Sequence, residues 1–263
     1  MNRRNFIKLT ASASMVTASA TAQANLVKNV LNNTQKLKVL FLGGTNYVGP
    51  SIVNQLINAG HEVTLFNRGQ TNPALFPSLE KLRGNRYKDK GKGLTALHGK
   101  RAWDVVIDTW QDSPLCVADT SSLLKNRCKQ YLYISTISVY GRDNFKQLSN
   151  ITEELRLSTI VKPKSYANEL SYGTRKLASE QAASDILGRK LTVLRPHSIC
   201  GYRLDSTSDN QRYWPIRLQR GGEIFALGDG YDTTQYIDIE NLAEFTLTAI
   251  ENNFYGIFNV TTT

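Results

Sequence analysis

The segment from Leu37 to Asn67 constrains the fold more than any other part of the chain. Leu37-Lys38-Val39-Leu40-Phe41-Leu42 is an apolar run of strand length. It ends in Gly43-Gly44-Thr45-Asn46-Tyr47-Val48-Gly49. Ile52, Val53, Leu56 and Ile57 then recur at helical spacing as far as Ala59-Gly60. His61-Glu62-Val63-Thr64-Leu65-Phe66-Asn67 follows as a second strand. Strand, glycine turn, helix, strand is the first half of a dinucleotide-binding unit. The turn lets backbone approach a pyrophosphate, whose charge sits at the positive end of the helix. A glycine pattern alone says little, but between a strand and a helix it is specific. Residues Gly43, Gly44, Thr45, Asn46, Tyr47, Val48 and Gly49 are therefore candidate cofactor contacts. One position departs from the common templates, which place glycine at 46. Asparagine tolerates left-handed backbone better than most residues, so Asn46 is expected to stand in for it.

The end of the second strand bears on which dinucleotide fits. An acid about 20 residues past the glycines would bond the ribose 2′-hydroxyl of NAD. The chain has Asn67-Arg68-Gly69 instead. Arg68 can pair a 2′-phosphate, which favours NADP over NAD.

The alternation continues. Trp103–Asp108 and Tyr131–Ser135 read as strands, Leu115–Leu124 as a helix, Tyr166–Leu187 as the longest helix, and Leu191–Arg195 as a strand stopped by Pro196. Such alternation implies an α/β fold with a doubly wound parallel sheet. No run approaches eighteen apolar residues, which excludes a membrane-spanning helix. Lysine and arginine total 32 against 22 acids, a formal charge of +10, so anionic partners are favoured. Much of the excess lies in Lys81, Arg83, Arg86, Lys88, Lys90 and Lys92. That stretch reads either as a solvated loop or as a rim attracting phosphates. Cys116, Cys128 and Cys200 are too few for a disulfide scaffold. No cluster suggests a metal.

The first 24 residues read as an address. Asn2-Arg3-Arg4-Asn5-Phe6-Ile7-Lys8 is followed by a mild Ala/Ser/Thr stretch and by Ala22-Gln23-Ala24. This is the pattern of a twin-arginine export signal, with cleavage expected after Ala24. Its removal takes three positive charges and reduces +10 to +7. The expected partner is the twin-arginine export machinery, and the expected location is the periplasm. Residues 25–36 are a polar, flexible lead-in.

Tyr172-Gly173-Thr174-Arg175-Lys176 places a phenol and an ammonium four apart on one helical face. A neighbouring cation favours the phenolate and can bring tyrosine into the working range of a base. The preceding strand ends in Ser135-Thr136-Ile137-Ser138-Val139-Tyr140-Gly141, whose hydroxyls can hold a substrate oxygen beside the phenol.

With the glycine turn, Ser135–Gly141, Tyr172, Lys176 and Leu194-Arg195-Pro196 quoted, the chain resembles the extended short-chain dehydrogenase/reductase superfamily, in its NAD-dependent epimerase/dehydratase branch. The resemblance runs from about Leu37 to Val260. It implies a Rossmann fold over 37–195, interleaved with a small, short substrate lobe over 196–263. It implies Tyr172 as acid/base, Lys176 as the residue that holds the nicotinamide ribose and lowers the tyrosine pKa, and Thr136 with Ser135 as substrate-oxygen donors. Asp108 and Thr109 are expected to line the cofactor, and Asn85 to replace the usual aspartate near adenine. Ser138, His197, Arg212, Tyr213 and Tyr236 are the expected substrate contacts.

Departures narrow the chemistry. Dehydratases of this kind carry an Asp-Glu pair after the threonine, where this chain has Ile137 and Ser138. Water elimination is therefore not expected. The leading expectation is reversible hydride transfer on a hydroxyl-bearing, sugar-like small molecule, as in an epimerase. A redox-neutral cycle suits an exported protein whose cofactor must regenerate in place. An NADP-dependent reductase or dehydrogenase is the second reading, and a non-catalytic binding protein on the same fold the third. No nucleic-acid partner is expected. The resemblance also implies a homodimer formed through a helix pair that includes the Tyr172 helix.

Overall fold

The structure is a computed structural model that describes residues 35–141, 151–153, 155, 165–166, 170–201, 218–223 and 235–261. The proposed export signal and the substrate candidates Arg212 and Tyr213 lie outside the described residues.

The central sheet contains β1 (Lys38–Leu42), β2 (Glu62–Asn67), β3 (Glu80–Arg83), β4 (Trp103–Asp108), β5 (Cys128–Ile134), β6 (Leu191–Pro196) and β9 (Gly256–Val260). Its order is β3-β2-β1-β4-β5-β6-β9, and every pairing is parallel. The strands from β1 to β6 are buried on both faces over most of their length, apart from the edge strand β3. That is why they read as near-continuous apolar runs. β7 (Ser198–Cys200) and β8 (Tyr236–Asp238) form a separate parallel pair.

Two helical layers follow from the two faces. α1 (Gly49–Asn58) and α4 (Ile239–Glu251) pack with Val39, Phe41, Leu65 and Ile107 on one side. α2 (Pro114–Leu124) and α3 (Tyr172–Leu187) pack with Leu40, Leu42, Val106 and Tyr131 on the other. Residues one apart in β1 serve opposite layers, as strand alternation requires. The C-terminal segment supplies β9 to the main sheet, so it is part of the doubly wound unit.

Several elements differ from expectation. α3 begins at Tyr172 rather than Tyr166, because Ser171 caps it by accepting from the Thr174 N–H. β3 carries only Glu-Lys-Leu-Arg, with no apolar alternation to reveal it, because it is an edge strand. α4 was readable: Asp238 caps it, and Ile239, Leu242, Ala243, Thr246, Ala249 and Ile250 recur on one buried face. No described helix is long and apolar enough to cross a membrane.

Candidate active site

In a parallel sheet, ligands enter the crevice beyond the carboxyl ends of the strands, where strand order reverses. Here the reversal lies between β1 and β4. The segments following β1, β2, β3, β4, β5 and β6 line one cleft of about 400 Å³. It contains Gly43–Val48, Asn67, Arg68, Thr109, Ser135, Thr136, Ser138, Tyr172, Lys176 and His197, while the expected contact Gly49 lies outside the lining. Residues predicted from separate parts of the sequence are thus brought together.

The glycine turn is held by close approach. A Cβ on Gly49 would lie 2.8 Å from the Gly44 backbone, so a side chain there would push α1 away from the turn. The left-handed residue after the glycines is Tyr47, at φ 53°, and not Asn46 as expected. Two asparagines, one ending β2 and one beyond it, brace the turn. Asn67 Nδ2 donates to the Gly43 carbonyl at 3.1 Å, and Asn72 Nδ2 to that of Thr45 at 2.9 Å. Asn67 Oδ1 accepts from Gly69 N at 3.0 Å and from Arg83. The Asn67 side chain therefore shapes the cleft by supporting backbone, with both ends of its amide engaged.

Two expected cofactor contacts lie outside the cleft lining. Asp108 is fully buried and outside the cleft lining. Its oxygens accept from Arg86 at 2.6 and 2.8 Å, from Tyr131 Oη at 2.6 Å and from Trp110 N at 2.9 Å. Burial pushes its carboxyl up, but Arg86 and these bonds outweigh that and hold it below the usual range. Asn85 also lies outside the lining, and its Oδ1 is occupied by Tyr87 N at 3.0 Å in a local turn. Arg86, read in the sequence only as part of a basic stretch that is either a solvated loop or a phosphate-attracting rim, forms a wall of the cleft, with its guanidinium 5.1 Å from the Trp110 ring. The basic stretch divides: Arg86 faces the cleft, while exposed Lys88 pairs with Asp119 and Lys90 lies over Tyr87.

At the other end, Thr136 caps a 3-10 turn (Ile137–Tyr140), accepting from Ser138 N at 3.2 Å. The first turn of α3 comes so close that a Cβ on Gly173 would collide with the Ser138 carbonyl oxygen. This approach sets Tyr172 beside Thr136. Burial raises the phenol pKa, with a Thr136 hydrogen bond and Arg175 opposing. Lys176 follows one turn further along α3. The lysine is buried, donates to the Trp110 carbonyl at 2.9 Å and to the Ile134 carbonyl, and lies 4.3 Å from the Tyr133 ring centroid. Burial brings its pKa down to about 7, against the raising influence of Asp108 and Glu180.

Ser135 Oγ is buried and has no hydrogen-bond partner among the described residues, although the residue lines the cleft. His197 lines it too, but its Nδ1 accepts from Ser198 N at 2.7 Å, and burial lowers its pKa despite a bond to the Gln235 backbone. Tyr236, in β8, is outside the lining.

These observations fit a dinucleotide. α1 opens without an acid in its first turn, so its positive end is open to an anion, although Gly49 N already donates to the Asn46 carbonyl at 3.0 Å and Pro50 has no N–H to offer. The cleft lining holds Arg68, Arg86 and Lys176 and, among the described residues, no Asp or Glu. The orphaned Ser135 hydroxyl adds a polar group awaiting a ligand.

Residues 115–261 match the NAD dependent epimerase/dehydratase family. The chain belongs to that family. It is 24% identical over 242 residues to the uncharacterized protein y4nG of Sinorhizobium fredii, covering 84% of this chain and 55% of that protein. It is 21% identical over 230 residues to an isoflavone reductase homolog of Nicotiana glauca, covering 83% and 66%. The chain thus spans between about half and two thirds of these relatives' length. Among solved structures, the fold matches the Bordetella bronchiseptica enzyme WbmG in complex with NAD, at a TM-score of 0.63 and 18% identity, covering 87% and 74%. It also matches UDP-N-acetylglucosamine 4-epimerase of Bacillus cereus, at 0.66 and 17%, covering 86% and 78%. At these identities the structural likeness establishes the Rossmann-type fold.

Proposed function

We propose that this family member is an NAD(P)-dependent epimerase acting on a hydroxyl-bearing, sugar-like small molecule in the periplasm. The observation that carries the reading is the convergence of Tyr172, Thr136, Ser135 and Lys176 beside the glycine turn in one cleft. The bound dinucleotide would supply reversible hydride exchange. Gly43–Val48 and Arg68 would hold it, with Lys176 donating to its ribose. Thr136 and Ser135 would orient the substrate hydroxyl toward Tyr172, which takes its proton and returns it. The raised Tyr172 pKa makes the free protein a proton donor at neutral pH, so ligand binding has to strengthen its basic form. The lack of an acid in the lining among the described residues, with Ile137 and Ser138 after Thr136, supports a proton shuttle at one oxygen rather than elimination of water. Arg68 and the missing acid after β2 support NADP as the preferred form.

The test is to purify the exported protein, denature it and identify the released small molecules by mass spectrometry. NAD or NADP is expected, and release of neither would remove the proposal. Tyr172→Phe should retain the dinucleotide and lose turnover. A fusion with Arg3 and Arg4 replaced by lysines should stay in the cytoplasm.

A second reading, an NADP-dependent reductase, is favoured by the tobacco-type relatives named as isoflavone reductase homologues. Net consumption of NADPH with a ketone, and no interconversion of epimers, would select it.

A further inference from the structure

Tyr172, Lys176 and Glu180 lie at successive four-residue steps, one face of α3. Glu180 is buried and paired with Arg195, through Oε2 at 2.6 Å and Oε1 at 3.1 Å. Arg195 is also buried, and its remaining arm donates to Tyr140 Oη at 2.8 Å. Tyr140 in turn donates to Asn259 Oδ1 at 2.8 Å. The network therefore ties α3 to β6, to the turn after Thr136 and to β9. It reaches the site from below, because Ser135 N donates to Leu194 O, the neighbour of Arg195, at 2.7 Å.

Lys176 is a buried cation without an ion pair of its own among the described residues. Two of its N–H groups go to the carbonyls of Trp110 and Ile134. The groups acting on it come from every side: Asp108 at the end of β4, Arg86 after β3, the Tyr133 ring on β5, and Arg175 and Glu180 on its own helix. Asp108 is already held by Arg86, and Glu180 by Arg195. A buried charge so placed depends on its surroundings to stay charged.

We propose that Glu180, fixed by Arg195, is a positioning residue that keeps Lys176 oriented and charged for ligand binding. It rests on the reading of the cleft as a dinucleotide site. Glu180 touches neither ligand nor reacting atoms. It acts through Lys176 by its charge and by fixing the helix face that carries both Lys176 and Tyr172. The sign follows from the chemistry: removing a nearby anion makes the ammonium easier to deprotonate. Lys176 already sits at about 7, so the change falls in an accessible range.

The experiment is a titration of the purified chain with NAD and NADP across a pH series, followed by tryptophan fluorescence. The parent is expected to bind progressively more weakly as pH rises through the Lys176 range. Lys176→Met should flatten that dependence. Glu180→Gln keeps a hydrogen-bond acceptor for Arg195 and should move the break down by roughly half a pH unit or more. Its affinity should converge with the parent at the acid end. An unmoved break, or a uniform loss at all pH values, would overturn the proposal and leave the pair merely structural. If Glu180→Gln does not fold, the joint replacement Glu180→Leu with Arg195→Met removes both charges without stranding either. Because a cation leaves with the anion, a smaller downward shift is expected, its sign set by Glu180 on the same helix face as Lys176, and a break that stays in place or moves up overturns the proposal equally. A parent that binds neither dinucleotide at any pH overturns the reading of the cleft itself; a parent that binds beside an unshifted variant overturns only the role of Glu180.

Discussion

The carboxylate of Asp108 grips the guanidinium of Arg86 through two bonds, of 2.6 and 2.8 Å, with both side chains buried beneath the cleft. The acid at the end of β4 thus holds a cation in the cleft wall. Breaking one member of a buried pair strands the other charge. Asp108→Asn is therefore expected to lower stability by about 3–5 kcal/mol, read by urea unfolding. The carboxyl's pKa is depressed in the folded state, so its contribution is present above the unfolded value of 3.8 and fades as pH falls through the lower folded value. The variant should lose that acid limb of the stability curve. An unchanged urea midpoint would show that the pair does not hold Arg86 as inferred.

Ser135 offers a prediction of mixed sign. Its hydroxyl is buried without a partner among the described residues, a state that costs stability. Ser135→Ala should leave stability unchanged or raise it by up to about 1 kcal/mol, while weakening ligand binding. Thermal unfolding without ligand and titration with the substrate or dinucleotide would measure the two effects. A clear loss of thermal stability would mean that the hydroxyl is satisfied within the protein.

Arg68 lines the cleft where β2 ends, beside the brace formed by Asn67. If it recognises a 2′-phosphate, Arg68→Ala should weaken NADP by about tenfold, the loss of one charge-assisted contact, and leave NAD unchanged. Parallel calorimetric titrations with the two dinucleotides decide this. Equal losses would assign Arg68 to a part that both share.

The sheet and the convergence of its strand ends were legible because they are written in short-range patterns: the apolar runs of β1, β4 and β6, the glycine turn, and the spacing of Tyr172 and Lys176. The direction of side chains was not. Asp108 sits in the right place but turns inward, because Arg86 and Tyr131 converge on it from distant segments. Asn46 looked like the residue that replaces glycine, yet the turn's close packing transfers the left-handed conformation to Tyr47. β3 escaped notice because a short edge strand needs no apolar alternation. The Glu180–Arg195 pair joins residues 15 apart, and no local pattern announces it.

The cysteines provide a last prediction. Burial pushes the thiol of Cys116 up to about 12 and that of Cys128 up to about 11. Thiolate is the reactive form, so both should be inert at neutral pH. Cys200 is only partly buried, and its Sγ lies 3.6 Å from the Ile237 carbonyl oxygen. A thiol-specific reagent should therefore modify Cys200 in the native protein, with Cys116 and Cys128 reacting at the rate of unfolding. Mass spectrometry of the labelled chain against time would resolve the two classes. Rapid native labelling of Cys116 would contradict the packing of α2 against the sheet, and with it the seat of the Arg86–Asp108 pair, since Arg86 also donates to the Cys116 carbonyl at 3.2 Å.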